Sequence, residues 1–128
     1  MARKHMRSPV SQAGRLGSGK EGVEDWWRER VTAVALVPLA LWFFASLVAH
    51  SRSDYAGLVA WLRLPLSTLM MVLLLVALFY HTALGLQVII DDYVHSAMKI
   101  PALVLIRLAC LALLAAGILA LLRIAFGH

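Results

Sequence analysis

Three long apolar blocks divide the chain, at Val31–His50, Leu64–Ile90 and Ile100–Phe126, with charged and turn-forming residues gathered between them. At about 1.5 Å rise per helical residue, each block is long enough to cross a hydrocarbon core of about 30 Å. The pattern predicts an all-α integral membrane fold with three transmembrane helices over residues 20–128, preceded by a flexible basic segment over residues 1–19.

The residues between the blocks refine this reading. Lys20–Arg30 mixes charges with Trp26 and Trp27, and Glu24 precedes Arg28 by one helical turn, a spacing that supports a helix. Paired tryptophans at the start of a span suit the headgroup layer, and contact with a soluble partner is the second reading. Pro38 is expected to kink the first span. Ser51-Arg52-Ser53-Asp54 reads as a turn, and Leu58–Leu62 as a short surface helix. Pro65 and Pro101 stand where proline is favoured, at the first turns of the second and third spans. The third span carries Arg107 and Arg123, both placed to snorkel, and otherwise reads as a packing helix.

Composition supports the membrane assignment. A chain of 128 residues that is 62% hydrophobic and 15% charged is too apolar for a soluble domain, and no separate soluble domain is expected. The net charge of +5 is positional and does not point to nucleic acid. Arg3, Lys4, Arg7, Arg15 and Lys20 precede the first span, with no acid before Glu21. The positive-inside rule then keeps the N-terminus cytoplasmic and places Ser51–Arg63 outside and Asp91–Lys99 inside; a bacterial inner membrane is the expected location, in line with the resemblance given below. Arg52 and Arg63 oppose that asymmetry. Residues 1–20 also have a transit peptide's composition without its apolar face, so the mitochondrial inner membrane is the second reading. The single cysteine, Cys110, lies inside the third block and reads as a small packing residue.

The candidate chemistry lies on the second span. On a helix turning about 100° per residue, Asp92 falls within about 20° of His81, and Gly85 and Val88 share their stripe. His81 is the deepest of the four, roughly 15 Å below Asp91. An ionisable group at that depth needs a partner or a task. Imidazole is a common axial ligand to haem iron, and a glycine one turn away lets something flat approach. The alternative is a histidine hydrogen-bonded to a neighbouring helix. His50, His95, His5 and His128 do not reach mid-membrane depth, so a bis-histidine haem would take its second ligand from another subunit. Tyr93 with Asp92 could hold a quinone carbonyl at the inner interface, or could be an interfacial tyrosine beside helix-end carboxylates.

The run His81-x3-Gly85-x6-Asp92-Tyr93, in the second of three spans, resembles the smaller membrane anchor subunit of succinate dehydrogenase, respiratory complex II. Arg15-Leu16-Gly17-Ser18-Gly19-Lys20-Glu21-Gly22, followed by Trp26-Trp27-x2-Arg30-Val31-Thr32-Ala33, is similar to its proteobacterial form. The resemblance implies a second three-helix anchor subunit (cytochrome b), an iron–sulfur subunit and a flavoprotein subunit as partners, with electrons passing from succinate to ubiquinone. It implies that His81 is an axial ligand to a haem b shared with the second anchor, and that Arg30 lies near the haem propionates. It also implies that Tyr93 binds ubiquinone with Asp92 beside it. Glu24 departs from relatives that carry a histidine there, and Asp91 makes the carboxylate pair more acidic than the family motif. A fumarate reductase anchor is the nearest alternative. A small proton-coupled transporter, with His81 and Asp92 as a relay, and a purely structural assembly subunit come from other classes.

Overall fold

A computed structural model describes the backbone of residues 2–127 and the side chains of residues 23, 24 and 26–127. It contains four helices: α1 (Ala2–Ala49), α2 (Tyr55–Arg63), α3 (Pro65–Tyr93) and α4 (Lys99–Phe126). The side chains of residues 1–19, expected to form a flexible basic segment, lie outside the described residues.

Three of the helices are long and apolar enough to cross a membrane, over Trp26–Ala49, Pro65–Tyr93 and Lys99–Phe126. The first and second spans extend beyond the expected blocks because Trp26–Arg30 continue the helix of α1 and Asp91–Tyr93 that of α3. α1 continues through Pro38 without a break. The short surface helix is longer than expected: Asp54 caps it with a side-chain oxygen 2.8 Å from the Gly57 amide, drawing in Tyr55, Ala56 and Gly57. Pro65 occupies the first turn of α3, where its missing amide donor costs nothing.

α3 is the middle helix. It packs on α1 along one side and on α4 along another, while α1 and α4 make no close backbone approach among the described residues. The α3–α4 seam is close at Gly117, where a built Cβ would stand 3.5 Å from a methyl of Leu75. Small residues let membrane helices approach where no hydrophobic effect drives them together. The interior is thin: Leu39, Leu74, Leu84, Ile90, Leu121 and Ser67 are the buried side chains among the described residues. Most large apolar side chains face outward, as expected where lipid or other protein is the surround.

The end of the bundle that carries α2 is fastened by an arginine. Arg63, the last residue of α2, donates from Nε to the Ile124 carbonyl (3.0 Å) and from Nη2 to the Gly127 carbonyl (2.8 Å). It satisfies C-terminal carbonyls of α4 that no helical amide can reach. This accounts for a basic residue in the loop assigned to the outside: Arg63 is a cap, so it carries little information on topology. Trp61 stacks between Trp42 (5.8 Å) and His50 (5.0 Å), holding α2 against the end of α1.

Candidate functional site

His81 stands twelve residues before the end of α3, about 18 Å along the helix axis. Its half-buried ring turns toward α1, where Nδ1 lies 3.0 Å from Thr32 Oγ1. The Thr32 hydroxyl is also 2.8 Å from the Arg28 carbonyl and 3.0 Å from the Glu29 carbonyl, the back-bonded position of a helical threonine. The other ring nitrogen, Nε2, has no hydrogen-bond partner among the described residues. No buried side-chain nitrogen or oxygen among those residues lacks a partner, so Nε2 reaches the surface of the chain.

One turn on, a Cβ built at Gly85 would meet nothing within 4 Å. Gly85 therefore plays no part in packing within this chain, unlike Gly117. The glycine beside the histidine faces open space. An imidazole nitrogen that reaches the surface, with an unfilled glycine one turn along the same helix, fits a flat metal-bearing group entering from outside the chain. One histidine supplies one ligand, and no cluster of three or more metal-ligating side chains occurs among the described residues.

The remaining site residues are spread out. Tyr93 ends α3 and is 80% exposed. Asp92 is exposed and has neither an ion pair nor a hydrogen bond among the described residues. Asp91 is paired with Lys99, Oδ1 to Nζ 3.1 Å, across the turn from α3 to α4. The second acid thus has a structural reason, with Lys99 as its counter-ion. A half-exposed pair of this kind contributes at most about 1 kcal/mol. Arg30 is exposed on α1, with its guanidinium 5.0 Å from the Trp26 ring. His81 and the Asp92–Tyr93 pair share one helix without touching.

A concavity of about 350 Å³ is lined by residues of α3 and α4 together with Arg28 of α1. Arg28, Phe79, Gln87, Arg107 and Cys110 help to line it. Arg107, expected to snorkel, is exposed. Its Nη2 donates to Gln87 Oε1 at 3.0 Å.

Sequence reasoning passed over Thr32, the residue closest to the histidine in hydrogen-bonding terms. A signal was present: Thr32 is the single hydroxyl residue between Val23 and Ala45. A lone hydroxyl on one membrane helix is a natural partner for a lone imidazole on the next.

Over residues 4–122 the chain matches a family model described as succinate dehydrogenase/fumarate reductase transmembrane subunit. It is similar to the succinate dehydrogenase hydrophobic membrane anchor subunit of Rickettsia bellii, 32% identical over 69% of this chain and 70% of the relative. The Rickettsia conorii subunit of the same name is 25% identical over 90% and 93%. That of Paracoccus denitrificans is 28% identical over 94% and 93%. No solved structure matches. A transporter finds no support in these matches.

Proposed function

The chain belongs to the succinate dehydrogenase/fumarate reductase transmembrane subunit family as a membrane anchor, and from that premise we propose that it supplies half of a haem b site and part of a ubiquinone site to a succinate:ubiquinone oxidoreductase. The observation that carries the reading is the accessible Nε2 of His81, deep in an apolar span, with open space before Gly85. Haem b, when bound, supplies a one-electron redox centre inside the membrane.

The residues of this chain have separable tasks. His81 would offer Nε2 to the haem iron, and a second anchor subunit (cytochrome b) would supply the further ligand. Gly85 withholds a side chain, which would leave room for a flat group beside α3. Arg30 presents a cation on the adjoining helix, suited to a propionate once it leaves the Trp26 ring. Tyr93 donates from its phenol to a ubiquinone carbonyl at the inner membrane face, and Asp92, unpaired among the described residues, orients that end of the site. The iron–sulfur and flavoprotein subunits dock on this same face, which puts the quinone near the incoming electrons. On this reading the N-terminus is cytoplasmic and the membrane is the bacterial inner membrane. The names of the relatives favour succinate oxidation over fumarate reduction as the physiological direction.

His81→Ala tests the assignment. The purified complex is expected to lose its b-type absorption while retaining flavin. Unchanged haem per flavin in that variant would remove His81 from the haem site.

A further inference from the structure

The contacts of Thr32 determine which nitrogen of His81 carries the proton. A threonine hydroxyl has one hydrogen and two lone pairs. Its oxygen lies 2.8 Å from the Arg28 carbonyl oxygen, 3.0 Å from the Glu29 carbonyl oxygen and 3.0 Å from His81 Nδ1. If the hydroxyl donated to Nδ1, both carbonyl oxygens would face Oγ1 at hydrogen-bond distance with no hydrogen between. Those would be repulsive contacts. If the hydroxyl donates instead toward the carbonyls, a lone pair of Oγ1 turns to the ring, and Nδ1–H donates to it. With the one hydroxyl hydrogen shared between the two carbonyls, every close contact then has a hydrogen in it, as polar groups at membrane depth require.

Neutral imidazole carries one proton, so a protonated Nδ1 leaves Nε2 with a bare lone pair. Nε2 is the nitrogen without a partner among the described residues, and it reaches the surface of the chain. We infer that Thr32 is a positioning residue: through Oγ1 it holds His81 in the Nδ1–H form and fixes the direction of its ring, presenting Nε2 as a ready ligand before haem arrives. The inference rests on His81 being the haem ligand and adds the group that prepares it. It also gives α1 a role, since the partner that orients the α3 ligand comes from another helix. Hydrogen bonds to the far nitrogen of a ligating histidine fix its tautomer and raise its basicity.

Four forms of the chain test this: wild type, Thr32→Val, Thr32→Ser and His81→Ala. Valine keeps the branched shape and removes the oxygen, and serine restores the oxygen. The first readout needs no haem: ¹⁵N-histidine NMR of the haem-free full-length chain in detergent, with the His81 signals identified by their loss in His81→Ala. Wild type and Thr32→Ser should show a protonated Nδ1 and a bare Nε2, and Thr32→Val a mixture of both tautomers. The second readout is a titration of haem into the haem-depleted complex. Thr32→Val should weaken haem uptake by about 10-fold, the lower end of the usual effect of such partners, with Thr32→Ser restoring it. The haem midpoint potential should rise in Thr32→Val, because a less basic imidazole stabilises ferric iron less.

If Thr32→Val keeps the wild-type tautomer and haem affinity, or if Thr32→Ser is as impaired as Thr32→Val, the inference fails and Thr32 is a packing residue. Haem lost in His81→Ala but unchanged in Thr32→Val sinks this inference alone. Haem retained in His81→Ala sinks the ligand assignment and this inference with it.

Discussion

Gly85 and Gly117 show how one residue type serves two ends in this protein. Gly117 closes the seam between α3 and α4 against Leu75, whereas Gly85 faces open space beside His81. Gly85→Leu should therefore leave the thermal stability of the isolated chain within about 0.5 kcal/mol, as for surface substitutions. In the complex it should sharply lower haem per flavin. Equal damage to the isolated chain would mean that Gly85 packs internally. At the other end of the stripe, Tyr93→Phe removes a phenol hydroxyl that is exposed in the chain alone. Quinone reduction should fall about tenfold, from the loss of one hydrogen bond worth about 1.4 kcal/mol, while succinate oxidation by a soluble dye is kept. Equal loss in both assays would point to failed assembly. As candidates for the proposed site, His81, Gly85, Asp92 and Tyr93 were legible in the sequence because polar residues and a glycine stand out in an apolar block. The roles of Thr32 and Asp91 were not, because each depends on a partner on another helix, 49 and eight positions away.

Among the elements, α3 does most of the positioning, and its neighbours hold it at both ends. Arg63 joins α2 to the carbonyls at the end of α4. Arg63→Ala should destabilise the chain in detergent by about 1 kcal/mol, seen as a lower unfolding midpoint, since it strips two charge-assisted bonds from an exposed helix end. An unchanged midpoint would show that water replaces the arginine at no cost. At the α3–α4 seam, Gly117→Ala should be tolerated, because the new methyl would lie 3.5–3.6 Å from Leu75 in ordinary contact. Gly117→Leu should cost about 1–3 kcal/mol by forcing the helices apart. The three spans could be read from hydropathy because crossing a bilayer demands long uninterrupted apolar runs. Helix ends were harder to place: the Trp26–Arg30 turn is polar in composition and helical by continuity with the span.

The molecule as a whole has little interior of its own. Five apolar side chains and one serine are buried among the described residues, and the histidine nitrogen, the glycine and the end of α3 all open outward. Such a chain is built to be completed by lipid and by other subunits. Hydropathy made its membrane character plain, but which faces meet lipid and which meet protein depends on surfaces that other chains provide. The central claim, that this anchor carries half of a haem b site, is tested most directly by a reduced-minus-oxidised optical spectrum of the complex that co-purifies with the tagged chain. The account predicts a b-type haem band beside flavin and iron–sulfur absorption, with the haem band absent when the tagged chain is His81→Ala. A haem band of equal size per flavin in both preparations would contradict it.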